Sequence, residues 1–183
     1  MANKIKFGLK SVYYAKITAG TAGDTYATPV ALPGAISLSL AAQGGSADKY
    51  ADNEIYYTAI SNTGYSGDLE LALIPDAFKS DILGEVAPTE GGLVEKKDVA
   101  TRYFALLFQF EGDEESKRHC MFKCSATRPD VASKTSEETI SPETEKIAIK
   151  AVPNANGIVK WSVGTASTAY AGWFTSVQIP TVS

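Results

Sequence analysis

The chain has little of what enzymes and membrane proteins are commonly built from. It holds one histidine, His119, and two cysteines, Cys120 and Cys124. No apolar run reaches the roughly 18 residues of a membrane span. Lys4, Lys6 and Lys10 interrupt the N-terminal stretch MANKIKFGLKSVYYAKI, so a secretory leader is not expected and a soluble protein made in a cytoplasm is. There is no Gly-rich phosphate loop, no dinucleotide fingerprint and no interleaving of basic with aromatic residues of the kind single-strand binders use. Positive charge is scarce too: 17 Lys and Arg stand against 21 Asp and Glu, giving a net charge of −4 and a pI near 5.1. Affinity for nucleic acid comes mainly from cations that neutralise phosphates, so this balance argues against ordinary DNA binding.

The chemical motifs that remain fail on spacing. Cys120 and Cys124 lie in KRHCMFKCSATRP, which alternates like a strand. At ~3.3 Å per residue their Cα atoms would stand about 13 Å apart, and a disulfide needs less than about 7 Å. Alternation sends His119 to the face opposite both thiols, so a zinc site would have to recruit distant carboxylates. Gly64-Tyr65-Ser66-Gly67 resembles a nucleophile elbow, but the motif needs glycine two places after the serine and position 68 is Asp. Asp68 and Glu70 leave one face of one strand roughly 6 to 7 Å apart. A glycosidase pair is assembled from separate elements around a cleft, so a solvated strand face is the simpler account. No enzymatic activity and no cofactor are expected.

What the sequence does contain is pattern. Its 183 residues suit one domain, and 15 glycines with 8 prolines favour turns and strands over long helices. From Ile5 to Ile17 the odd positions are mostly apolar and the even ones carry lysines, which predicts an N-terminal strand or arm over 1–17 buried on its odd face. Residues 18–28 read as a small-residue loop, and ISLSLAAQ as a strand with Ile36, Leu38 and Leu40 inward and Ser37 and Ser39 outward. Residues 43–53 read as a long, polar, flexible loop or hairpin tip leading into the strand EIYYTAI. Tyr65 to Leu73 puts Leu69, Leu71 and Leu73 inward, and a short helix over 75–83 follows, with Pro75 and Asp76 opening it, Phe78 and Ile82 on one face and Gly84 closing it. Six apolar residues from Tyr103 to Phe108 predict a strand buried on both faces, placed beneath that helix. An acidic turn at 111–115, a returning strand at 117–127, EKIAIKAVP and GIVKWSV around a turn at 154–157, and a C-terminal strand or arm over 172–183 complete eight or nine strands. The expected fold is mainly β, a β-sandwich or partly closed barrel with one short flanking α-helix. Charge is uneven along it: residues 1–16 carry four lysines and no acid, whereas 48–98 carry eleven acids against four lysines, which suits head-to-tail association as well as a solvated surface.

The ordered blocks KIKFGLKSVYYAKI, ATPVALPGAISLSL, YYTAISNTGYSGDLELALIPDAFKSDILG, FALLFQFEGD, RHCMFKCSATRP, PETEKIAIKAVPNANGIVK and WFTSV span nearly the whole chain. Together they resemble the major tail proteins, or tail tube proteins, of long, non-contractile-tailed bacteriophages (siphophages) of Gram-positive bacteria. That resemblance implies a tail-tube fold similar to the type VI secretion tube protein, and a structural virion protein assembled in the host cytoplasm. It implies homohexameric rings stacked into a tube whose lumen conducts the genome during ejection, with tape-measure, tail terminator and distal tail proteins as further partners and no membrane. Double-stranded DNA would pass without specific binding. Only structural roles carry over. Asp68, Glu70, Ser37 and Ser39 are candidate lumen-lining residues, while Lys146 and Lys150 count against their own strand unless neighbouring acids neutralise them. Candidate inter-ring contacts are Lys4, Lys6 and Lys10 of the N-terminal strand, Gly44, Gly45, Asp48, Lys49, Tyr50 and Asp52 of the polar loop, and the C-terminal IPTVS. This chain departs from the family in the loops 43–53 and 111–116. The competing expectation is a monomeric β-sandwich binding module for carbohydrate or protein, using Tyr56, Tyr57, Trp161, Tyr170 and Trp173 as a platform.

Overall fold

The computed structural model describes residues 7–20, 23–51, 53–112, 115–133 and 143–181. Within them the chain is mainly β with one short helical segment, and most of its strands form one large antiparallel sheet. The strands are β1 (Phe7–Gly20), β2 (Gly23–Tyr26), β3 (Val30–Ala31), β4 (Ala35–Gln43), β5 (Ser46–Ala51), β6 (Glu54–Ile60) and β7 (Gly64–Leu71), then β8 (Phe104–Glu111), β9 (Arg118–Ala126), β10 (Glu145–Val152) and β11 (Lys160–Val163). The main sheet runs β2-β1-β8-β9-β10-β7-β4, with β11 on β9 and β3 on β1, while β5 and β6 pair only with each other.

One buried cluster joins Val12 and Tyr14 of β1, Leu106 of β8, Ile147 of β10 and Leu69 of β7, and Leu38 and Leu40 of β4 pack against it. Because β1 and β4 lie far apart in the strand order yet share this core, the sheet is rolled around it. One end of the roll is closed by α1 (Asp76–Phe78) and the π-helical turn Lys79–Leu83 that continues it. Phe78 and Ile82 are fully buried there, and the Phe78 ring meets Tyr14 and Phe104 edge-on at 5.1 and 5.5 Å. The helix was therefore legible, but it carries only three α-helical residues. Its stop is as expected: Gly84 adopts a left-handed φ of 82°, and a Cβ there would come within 2.1 Å of Val99 Cγ1.

A second cluster lies on the other side of β1, β8 and β9, where Ala15, Leu107, Cys120 and Phe122 meet Trp173. β8 is accordingly buried on both faces from Phe104 to Phe108, in the middle of the sheet, as the apolar run predicted. The segment 172–181 that covers this cluster forms turns and extended chain rather than a C-terminal strand. Its hold is by side chains: Trp173 Nε1 donates to the His119 carbonyl at 3.3 Å and the Arg118 guanidinium stacks 3.8 Å over Tyr170.

Bulges account for the other departures from simple alternation. In β1 the pairing with β8 shifts twice, and Ser11 has a φ of 52°, so the inner face reads Leu9, Val12, Tyr14 instead of the odd positions throughout. A shift between Ala35 and Ser37 turns Ile36 outward, to 50% exposure. β7 ends at Leu71, which leaves Leu73 outside and lets Ile74 be buried instead. A further shift opposite Phe104 and Leu106 places Cys120 and Cys124 on opposite faces of β9, one in each cluster, where burial pushes both thiols up, Cys124 to about 12. His119, expected to be exposed, stacks on Phe108 at 5.2 Å. Residues 18–28 are mostly a hairpin of β1 with β2 rather than a loop, since small residues can still complete a backbone ladder.

Candidate functional site

Two surfaces stand out. The first is the outer face of β4, β7 and β10. β7 lies between the other two, so alternate residues form rows across three strands: Ser37, Glu70 and Lys146; Ser39, Asp68 and Ala148; Ala41, Ser66 and Lys150, with Ser125 of β9 extending the last. The inward alternates of β10 and β7, including Ile147, Ile149, Leu69 and Leu71, are fully buried. One face therefore supplies core while the other presents small hydroxyls and charges. Gly67 lets β4 come close: a Cβ at this position would lie 1.8 Å from the Ser39 carbonyl oxygen.

The charges on this face are ordered. Ser37 Oγ donates to Glu70 Oε2 at 2.8 Å and Thr144 Oγ1 donates to Glu70 Oε1 at 2.6 Å. The hydrogen bonds from Thr144 and Ser37, with a smaller contribution from the Lys146 ammonium, hold the Glu70 carboxyl below its ordinary value. Lys146, which counted against a neutral wall, stands directly across from Glu70, and Lys150 lies four residues further along β10, across from Ser66. Two carboxylates and two ammonium groups thus balance on this patch. Sequence reasoning found Asp68, Glu70, Ser37 and Ser39 from strand alternation. It missed Thr144, because a hydroxyl just before a strand carries no periodic signal.

The second surface is the ribbon formed by β5 and β6. The segment expected to be a polar loop is mostly strand: Ser46 to Ala51 pairs in order with Ile60 to Glu54, with one shift between Lys49 and Tyr50. Gly44 and Gly45 form its base, where Ser61 N–H donates to the Gly45 carbonyl and Gly45 N–H donates to Ser61 Oγ, and a Cβ on Gly44 would come within 2.1 Å of the Ser61 carbonyl oxygen. Asp48 Oδ1 accepts from Thr58 Oγ1 at 2.7 Å, Lys49 faces Tyr57, and Tyr50 faces Ile55. Every residue of β6 is exposed, Ile60 to 84%. A two-stranded ribbon alone is marginal in water, and this one carries tyrosines and isoleucines on open faces. The signal was present in EIYYTAI, a nearly unbroken apolar run that has no polar side to turn toward water.

Lys10 lies on β1 and pairs with Glu111 at 3.7 Å at the surface, whereas Lys4, Lys6 and Asp52 fall outside the described residues. The aromatics of the competing expectation do not form one platform. Trp173 is buried, Trp161 packs on it at 5.0 Å and Tyr170 lies under Arg118, which leaves Tyr56 and Tyr57 on the ribbon. Among the described residues no three of His, Cys, Asp and Glu converge as metal ligands, and no helix is long and apolar enough to cross a membrane. No family model matches the chain, and no curated protein matches it.

Proposed function

We propose that this protein is the subunit of a bacteriophage tail tube, a structural virion protein that joins to copies of itself in rings, hexameric by the family resemblance, and stacks them into a conduit for the genome. The observation that carries the reading is the joining, in one small domain, of a charge-balanced polar sheet face with an apolar ribbon whose strands, among the described residues, pair with each other alone.

The polar face suits the wall of a channel for a polyanion. Each cation that meets a phosphate releases counterions and makes an adhesive point, whereas a wall that carries as many carboxylates as ammonium groups offers DNA no net attraction. Asp68 and Glu70 serve here to offset Lys146 and Lys150, and Ser37 and Ser39 keep water at the surface. β4 ends the strand order of the described sheet, and an edge strand of this kind, which in a lone domain invites aggregation, in a ring becomes the seam between subunits. The ribbon supplies a further subunit contact, through Gly44, Gly45, Asp48, Lys49 and Tyr50.

Light scattering on a concentration series tests the reading against a monomeric carbohydrate- or protein-binding module. The tube subunit is expected to shift from about 19.4 kDa to species of ring mass or larger as concentration rises. A mass that never leaves the monomer would favour the module.

A further inference from the structure

The end of the rolled sheet opposite the helix is open. At that mouth a hollow of about 210 Å³ has Leu38, Leu40, Phe108, Phe110 and Met121 among its walls, with Tyr65, His119 and Lys160 as its polar members. At its rim Lys160 Nζ rests on the Tyr65 hydroxyl at 3.1 Å, and among the described residues Lys160 meets no carboxylate. The ribbon leaves the sheet at this same end, from Gln43 at the close of β4 and Gly64 at the start of β7. It does not fill its own mouth, for Tyr50, Ile55 and Ile60 stay 68%, 56% and 84% exposed.

The ribbon has a face that fits the hollow in shape and in charge. Ser46, Asp48 and Tyr50 alternate onto one side of β5, and their cross-strand partners are Ile60, Thr58 and Ile55. That side offers three large apolar groups around one carboxylate, and the mouth offers leucine, phenylalanine and methionine walls beside an ammonium group that meets no carboxylate among the described residues. Because ribbon and mouth lie at one end of the molecule, copies placed side by side in the same orientation bring them to the same level. We infer that the Tyr50, Ile55 and Ile60 face of one copy covers the mouth of the neighbouring copy, with Asp48 meeting Lys160. The contact is heterologous, so it propagates around a ring. This inference rests on the self-assembly reading above and adds the receiving surface to it.

Half-defective chains test it. An Ile55→Asp, Ile60→Asp chain keeps its mouth and loses its ribbon face; a Leu40→Asp chain keeps its ribbon and loses its mouth. Each alone is expected to remain monomeric where the native protein assembles, and an equimolar mixture is expected to give one-to-one pairs and nothing larger in sedimentation. Since Leu40 is partly buried and its variant can misfold, the exposed pair supplies a second test. Asp48→Lys and Lys160→Glu should each raise the concentration needed for assembly about tenfold, and a chain carrying both should recover most of that loss. Variants that assemble like the native protein, a mixture that forms no pairs, or a double reversal no better than the single ones would overturn the docking and leave the assembly reading standing. A native protein that is monomeric at every concentration would overturn both.

Discussion

At the scale of single residues, Asp81 ties the helical turn to the sheet. Tyr14 donates its hydroxyl to Asp81 Oδ2 and the Lys16 ammonium reaches Oδ1, both at 2.9 Å. Burial first, then the hydrogen bond to Asp81 and its charge, push the Tyr14 phenol well above its ordinary value of 10.0. In the folded chain the phenol keeps its proton, whereas in the unfolded chain it ionises near 10. The stabilisation is therefore complete below pH 10 and is lost as pH rises from there toward the higher folded value. A plot of melting temperature against pH should fall above about pH 10 in the native protein, and Tyr14→Phe should flatten that fall while costing about 1 kcal/mol at neutral pH through the lost hydrogen bond. Equal slopes for the two proteins would show that Tyr14 does not carry the effect. Glu70 differs in kind: it is held down by hydroxyl donors at the surface, so its charge persists through the ordinary pH range and the polar face stays balanced.

At the scale of elements, what was legible followed from periodicity without interruption. β10 alternates Ile147, Ile149 and Ala151 inward with Lys146, Ala148 and Lys150 outward, and β8 is an apolar run buried on both faces, so both were readable directly. β1, β9 and the Ile36 position at the start of β4 were not, because one extra residue reverses the assignments on its far side, and a bulge costs too little to leave a mark in composition. The turn-rich 172–181 segment was misread as a strand for a related reason: Trp173 is buried by a loop that the sheet face demands, and an isolated apolar anchor resembles a strand residue. Half of the candidate site was therefore visible. The hydroxyl and carboxylate row on β4 and β7 was read from alternation, while the ribbon's strand character lay beneath a polar, Gly-containing composition. The polar face also yields an element-scale prediction. Replacing Asp68 and Glu70 by lysine would leave four ammonium groups on this patch in place of a balanced set. Assembled variant protein should then retain duplex DNA at low salt and release it steeply as salt rises, whereas the native assembly should retain none. Equal DNA retention by both would remove this face from the wall.

At the scale of the whole molecule, the balance of surfaces argues for association. A rolled sheet of this size buries one core well and covers a second cluster with a side-chain-anchored segment, yet among the described residues no further strand pairs with the outer edge of β4, and the ribbon strands pair with each other alone. On the proposed reading, a net charge of −4 is small enough to let copies of the chain approach one another. Negative-stain electron microscopy of the purified, concentrated protein tests this most directly. The account predicts annular particles or hollow tubes of stacked rings with an open bore. Fields of isolated small particles at every concentration, or compact aggregates without a central hole, would contradict it.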